Sequence, residues 1–538
     1  MSSYCATART LRLLAAAAAV IALCSAQSDI GSVVNRAAEQ ARRTFDAPGI
    51  AVAVVKDGKV VWAQGYGVRR IGHPEPVTAR SLFRIASNTK AFTAAALAML
   101  VDEGKIHWDD RVIDRLPAFR MYDPYVTREL TVRDLLVHRS GLGLGAGDLM
   151  FFPPTDLSRE EIVFRLRFLK PAASFRARYA YDNLLYLVAG QLIPAVTGQS
   201  WDDFVTRRIL APLGMSASGV STHTLETASD VAIPHALADG KQVALEQENV
   251  DNNAPAGSIV SSVEDLAKWL VLQLNRGALW NQAGRVRLFS EAQSREMWSP
   301  QTVLPIAGLP AGSPAALAAI QPNFDAYGLG WHLCDLYGKK MVTHNGALAG
   351  YVSRVTLIPE LQLGVVVLTN QEAEGAYQAV TYAILDRYFG RPETDWVTVF
   401  RDLEKQEQSA AAAAVKTAAG KRNTASRPSL PLAAYAGRYR DDWYGDVVIE
   451  EQAGKLVIRF THTPALTGVL EHWQYDTFVA RWNNRTLSAD AFVTFSLKPD
   501  GAVDEVKMLP LSPLTDFSFD FQDLSLHPIR LGAADEHR

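Results

Sequence analysis

Apolar positions recur along this chain with two different periods, and the changes between them mark out its elements. Between Asp29 and Phe45 the apolar set Ile30, Val33, Val34 and Ala37 opposes Arg42 and Arg43, which predicts an amphipathic helix. Two alternating runs follow, Ile50 to Val55 and Val60 to Gln64, joined around Asp57-Gly58, a hairpin signal. Ala91 to Leu100 (AFTAAALAML) is rich in Ala and Leu and predicts a largely buried helix, as does Leu184 to Gly190. Strand patterns resume at Tyr351 to Ile358 and Leu363 to Thr369, and a closing helix is expected from about Ala376 to Tyr388. Terminal strands flanking a helical insertion predict an α/β unit, an antiparallel sheet covered by helices.

From about Glu404 the pattern changes again. A Lys-Gln-Glu-Gln-Ser stretch, an alanine run (Ala410 to Ala414) and Arg422 to Pro428 read as a linker, helical at its start. Short β-like segments then return at Val447 to Ile449, Lys455 to Phe460, Thr477 to Trp482 and Phe492 to Phe495, with turns such as Pro499-Asp500-Gly501 between them. These predict a small all-β barrel or sandwich whose aromatic residues fill its own core. The expected organisation is a leader over 1–26, a first domain over 27–403, a linker over 404–429 and an all-β domain over 430–538.

Composition narrows the classes. At 538 residues, 48% hydrophobic and 21% charged, the chain is long enough for more than one core. A formal net charge of −3 provides no electrostatic footprint for nucleic acid. Arg9 and Arg12 lead into the apolar run Leu13 to Leu23, followed by Cys24-Ser25-Ala26, which reads as a secretory signal and places the mature protein in the periplasm or outside the cell. Ile21-Ala22-Leu23-Cys24 also loosely resembles a lipoprotein box, with an unusual Leu before the Cys. The run is too short to span a bilayer, and no transmembrane segment is expected in the mature chain. Cleavage at Ala26 would leave Cys334 alone, an inert core thiol beside Trp331, and no internal disulfide.

The candidate chemistry starts at Ser87-Asn88-Thr89-Lys90. Residues i and i+3 of a helix share a face, so the Ser87 hydroxyl and the Lys90 amine can meet. At the start of a buried helix the amine would be partly desolvated and its proton-accepting form accessible. Alone, S-x-x-K describes a capping Ser and a surface Lys equally well. Two further elements give it meaning: Tyr181-Asp182-Asn183, the one Tyr-x-Asn in the chain, entering the apolar helix at Leu184, and His344-Asn345-Gly346-Ala347 between two strand-like runs.

This order and its flanks resemble the penicillin-recognising serine hydrolases. The closer resemblance is to the class C β-lactamase-like branch, which includes D-aminopeptidases, D-alanyl-D-alanine carboxypeptidases and some carboxylesterases. It extends to Phe83 to Ser87, Thr131 to Leu142 (TVRDLLVHRSGL), Pro255-Ala256-Gly257 with Asp265, and Tyr327 to Trp331 (YGLGW), covering about Ile30 to Tyr388. The all-β region looks like the lipocalin-like domain that follows some of these hydrolases, through Tyr435 to Tyr439 and His472 to Phe478.

The resemblance implies a β-lactamase/transpeptidase-like sandwich and an acyl-enzyme mechanism. Ser87 would be the nucleophile, and Lys90 and Tyr181 a coupled base in which the ammonium lowers the phenol pKa from about 10. Asn183 would orient Lys90 or hold a substrate carbonyl. The Ala347 N–H would pair with that of Ser87 as the oxyanion hole, with Gly346 admitting substrate to the strand edge. His344-Asn345-Gly346 stands where β-lactamases usually carry Lys-Thr-Gly. Replacing Lys by His removes a fixed cation, so small amides, D-amino-acid peptides or esters are expected substrates, with β-lactam hydrolysis rising only as His344 protonates below about pH 6.5. A class C-type β-lactamase and a non-hydrolytic penicillin-binding or sensing protein are the alternatives. Lys56-Asp57-Gly58, a literal K-x-G, belongs to the hairpin turn, and His138 reads as a packed structural residue. No H-E-x-x-H and no G-x-x-x-x-G-K-[ST] occurs, so no metal and no cofactor are implied; the expected partner is a small-molecule or short-peptide substrate, with the oligomeric state left open.

Overall fold

The computed structural model describes residues 30–281 and 284–529; the expected leader, with Cys5 and Cys24, lies outside them. Eight antiparallel strands form the first sheet in the order Lys59–Gly67, Gly49–Lys56, Leu363–Thr369, Tyr351–Ile358, Lys339–Leu348, His332–Leu336, Asp325–Tyr327, Thr302–Val303. The first strands of the domain therefore pair with nearly its last, Ile50 opposite Thr369 and Val54 opposite Val365. Asp57 and Gly58 turn the hairpin with φ of 50° and 72°, the left-handed values that a two-residue turn of this hand requires.

The strand Gly49–Lys56 is buried on both faces, and its alternation separates two cores. Ile50, Val52 and Val54 face the helix 30–44 and the helices Glu374–Phe389 and Trp396–Gly420. Ala51, Ala53 and Val55 face the helical insertion. At the centre of that insertion lies the helix Thr89–Asp102, buried on every side from Thr89 to Leu100. The Ala-rich sequence lets neighbouring elements close in on all of its faces, which is why it shows no amphipathic stripe. This is the antiparallel sheet covered by helices, with a helical insertion, that the pattern predicted, and it has the layout of the sandwich that the resemblance implies.

The segment expected as a linker opens within the 25-residue helix Trp396–Gly420, which runs on from the first domain through residue 420. The all-β region is a near-closed barrel of eight antiparallel strands, ordered Val503–Pro510, Ala491–Leu497, Thr477–Trp482, Thr467–Gln474, Lys455–Phe460, Gly445–Gln452, Gly437–Asp441, His527–Pro528. Closure comes from the chain end: His527 pairs with Arg440, while Leu526 bridges to Val506. Tyr435, Tyr439, Phe478 and Phe495 pack edge-to-face inside, so side chains fill the barrel. Its core is continuous with that of the helical insertion. Among the described residues no helix is long and apolar enough to cross a membrane.

Candidate active site

Ser87 occupies a 3-10 turn, Ala86–Asn88, that runs directly into the helix Thr89–Asp102. Ala86 holds φ at 46°, a left-handed value that costs energy for a residue with a Cβ, immediately before the serine. The turn presents Ser87 to a cleft of about 1170 Å³ and places it at the positive end of the helix dipole, where developing negative charge is favoured.

One turn on, Lys90 is fully buried, and its Nζ lies 3.0 Å from Ser87 Oγ, 2.6 Å from Asn183 Oδ1 and 3.1 Å from the Ala256 carbonyl. Burial pulls the amine down to about 7, against the opposing pull of Asp148 and Asp182. The three partners determine what a neutral amine does there. Asn183 Oδ1 and the Ala256 carbonyl are acceptors only and take its two N–H groups. The lone pair is left for the Ser87 hydroxyl, the one partner able to donate.

Each partner is fixed in turn. Asn183 donates through Nδ2 to Asp148 Oδ2 at 2.8 Å, which sets the amide orientation that offers Oδ1 to Lys90. Thr93 Oγ1 donates to the Pro255 carbonyl at 2.7 Å and anchors the Pro255-Ala256-Gly257 turn on the nucleophile helix. Gly330, with φ of 75°, lets its strand connection approach that helix; a Cβ there would come within 2.8 Å of the Lys90 carbonyl.

Tyr181 comes from the loop preceding the helix Leu184–Thr197 and lines the cleft with Ser87, whose side chain opposes the rise of the phenol pKa. The Thr131 to Leu142 segment holds this loop. Buried Asp134 binds Arg139 at 2.9 Å and Arg176 at 2.5 Å, and the His138 carbonyl accepts the Ala180 N–H at 2.9 Å. His138 Nδ1 accepts the Asp182 N–H at 3.2 Å while its ring packs 4.3 Å from that of Tyr181. The expected depression of the Tyr181 pKa is not found. Burial dominates and holds the phenol well above 10, even with Lys90 Nζ 4.8 Å over its ring. The reason is that a half-neutral lysine supplies too little charge to offset the desolvation of a phenolate.

His344 also departs from expectation. Its Nδ1 donates to the Asn345 carbonyl at 2.5 Å, and Nε2 accepts from the Tyr327 hydroxyl at 2.7 Å. That pairing suits the neutral ring, and burial beside Lys90 lowers its pKa to about 3. It therefore stays uncharged across pH 5 to 9, and protonation near pH 6.5 cannot recruit an anionic substrate. Asn345 and Ala347 face the cleft on a strand whose pairing with His332–Leu336 ends at Thr343, so that edge is open opposite Ser87. Gly346 instead faces inward. A Cβ there would collide with the Ile85 carbonyl and crowd Ser353 Oγ, so the glycine admits the serine turn rather than substrate.

The sequence reading assigned no role to Asp148, Asp182, Tyr327 or the barrel. The barrel nonetheless walls one side of the cleft: Phe517 packs edge-to-face on Tyr181 at 5.9 Å, and Leu514 and Asn484 line the opening. A visible signal was the apolar–polar alternation Phe517-Ser518-Phe519-Asp520-Phe521. Cys334 is a buried thiol raised to about 12 by desolvation.

The fold is that of the β-lactamase/transpeptidase-like proteins. The chain belongs to the Beta-lactamase family, whose model matches residues 34–388; residues 421–528 match a domain family of unknown function, DUF3471. It is 31% identical over 481 residues to the Unguisins hydrolase ungD of Aspergillus violaceofuscus, covering 83% of this chain and 82% of that one. It is 27% identical over 342 residues to Protein flp of Staphylococcus aureus, 61% of this chain and 60% of that one. Among solved structures, the octameric penicillin-binding protein homologue from Pyrococcus abyssi shares the fold, with a TM-score of 0.58 at 23% identity over 93% of this chain and 99% of that one.

Proposed function

We propose that the protein is an exported serine hydrolase that forms an acyl-enzyme on Ser87 and acts on small amides, D-amino-acid peptides or esters. The observation that carries this reading is the arrangement of Lys90, whose neutral amine has only the Ser87 hydroxyl left for its lone pair. Lys90 takes the serine proton as Oγ attacks the carbonyl carbon, and the N–H groups of Ser87 and Ala347 receive the oxyanion. Tyr181, held protonated by burial, donates to the leaving amine or alcohol and takes back the proton that the Lys90 ammonium received from Ser87. Water then repeats the sequence on the acyl-enzyme.

One feature supports the substrate class: neutral His344 offers no cation to a carboxylate. The name of the ungD relative, a hydrolase of unguisins, points to hydrolysis rather than to a stalled acyl-enzyme. The test measures kcat/KM from pH 5.5 to 8.5 on a p-nitrophenyl ester, D- and L-amino-acid anilides and a chromogenic cephalosporin. The expected result is turnover of a neutral ester or amide with an acid limb near pH 7, and a neutral-to-cephalosporin ratio that stays flat with pH. Efficient cephalosporin turnover would favour a β-lactamase, and stoichiometric acylation without turnover a penicillin-binding or sensing protein.

A further inference from the structure

The barrel reaches the buried network behind Lys90. Its strap Phe517–Phe521 uses successive residues on different partners. Phe517 packs on Tyr181, Phe519 packs at a tilt against Phe152 with ring centroids 5.4 Å apart, and Phe521 enters the barrel core beside Trp482 at 5.9 Å. Asp520, fully buried, accepts the Gly147 N–H at 2.6 Å and the Leu149 N–H at 3.1 Å. It thereby clamps the 3-10 turn Asp148–Met150 from across the domain boundary. Between the two, Ser518 Oγ donates to Asp148 Oδ2 at 2.9 Å, the same oxygen that accepts Asn183 Nδ2. Asp148 Oδ1 is buried with no partner, so Ser518 and Asn183 are the carboxyl group's side-chain donors in the described structure.

We propose that Ser518, from the C-terminal barrel, is a positioning residue for the catalytic lysine, acting on Lys90 through Asp148 and Asn183. The inference rests on the reading of Lys90 as the base. It makes the barrel a component of the hydrolase site rather than an appended domain. The Ser518 hydroxyl fixes the Asp148 carboxyl, the carboxyl fixes the Asn183 amide, and the amide holds one of the two N–H groups that aim the lone pair at Ser87.

The electrostatic consequence has a definite sign. Burial pushes the Asp148 carboxyl well above its usual range, the Asn183 and Ser518 donors oppose that rise, and the carboxylate form they favour in turn favours the Lys90 ammonium. The other groups facing this pair are Asp182, Asp520, Tyr181 and Tyr186, with His138 and His344 across the cleft floor. None of them touches Ser518 by a hydrogen bond, so removing its hydroxyl acts first on Asp148. Asp148 then becomes harder to ionise and Lys90 easier to deprotonate.

The experiment compares pH profiles of kcat and kcat/KM for the full-length wild type, Ser518→Ala and Ser518→Thr on one neutral ester. Ser87→Ala and Lys90→Met serve as controls. In Ser518→Ala the acid limb should move to lower pH by roughly half a unit, with kcat down about tenfold and KM within about twofold. Ser518→Thr, which restores the hydroxyl, should return both. Ser518→Cys, nearly isosteric and a far weaker donor, should move the limb the same way should the alanine variant not fold. An acid limb that stays at the wild-type position or moves up, at any level of activity, overturns the proposal, as does a shift that threonine fails to reverse. Activity surviving in Ser87→Ala or Lys90→Met would instead overturn the acyl-enzyme reading beneath it.

Discussion

Lys90 is the residue at which stability and chemistry oppose each other. Its pKa falls from 10.5 to about 7 because the fold buries it, so the folded state binds fewer protons than the unfolded state between those values. Stability therefore rises with pH from about 7 to 10.5, and the cost of the lysine is present in full below 7. At about 1.4 kcal/mol per unit the cost reaches roughly 4–5 kcal/mol at neutral pH. Lys90→Met should raise the thermal midpoint while abolishing turnover, and the gain should shrink as the buffer is taken from pH 7 to 10. A lysine variant no more stable than wild type at pH 7 would mean that the amine is not held desolvated. Tyr181 follows the opposite logic, since burial keeps its proton on and suits it to donate rather than accept.

At the scale of elements, the site depends on how closely the strand Lys339–Leu348 approaches the serine turn. Gly346→Ala inserts a methyl group against the Ile85 carbonyl, and neither backbone can yield without moving Ser87 or the open strand edge. The expected result is a loss of roughly 1–3 kcal/mol of stability and a drop in kcat of about a hundredfold, measured by melting and steady-state kinetics. Wild-type kcat in this variant would show that the edge does not register the substrate. Much of this element layout was legible in the sequence, because the strand-like runs at 50–55, 351–358 and 363–369 and the Ala-rich run at 91–100 carry strong local signals. The pairing of Ser87 with Lys90 was legible for the same reason, being a matter of a three-residue separation across a 3-10 turn that runs straight into a helix. What stayed hidden depends on distant contacts. Burial set the directions of the Tyr181 and His344 pKa shifts, and Gly346 faces the carbonyl of Ile85, 261 positions earlier in the chain, which no local pattern encodes.

Across the whole molecule, the two domains share a core and a hydrogen-bonded seam. Arg165 donates to the carbonyls of Trp443 and Tyr444 at 3.0 and 2.8 Å, and Asp520 holds two backbone N–H groups of the helical insertion. Such a seam predicts one cooperative unfolding transition for the full chain. Asp520→Ala orphans both N–H groups and should lower stability by about 2–4 kcal/mol while keeping a single transition. Calorimetry showing a separate barrel transition in the wild-type protein would contradict this coupling. The change in pattern after 403 announced a second, all-β unit, although position 403 lies inside the helix Trp396–Gly420; that the barrel would supply part of the cleft was not legible, because Phe517 and Ser518 meet Tyr181 and Asp148 only after both domains have folded.

The central claim is the acyl-enzyme on Ser87, and intact-protein mass spectrometry of a reaction quenched during turnover of a neutral ester tests it most directly. The account predicts a mass increase equal to one acyl group, mapped by peptide analysis to the segment containing Ser87 and absent in Ser87→Ala. Steady turnover with no covalent adduct, or an adduct on another residue, would contradict it.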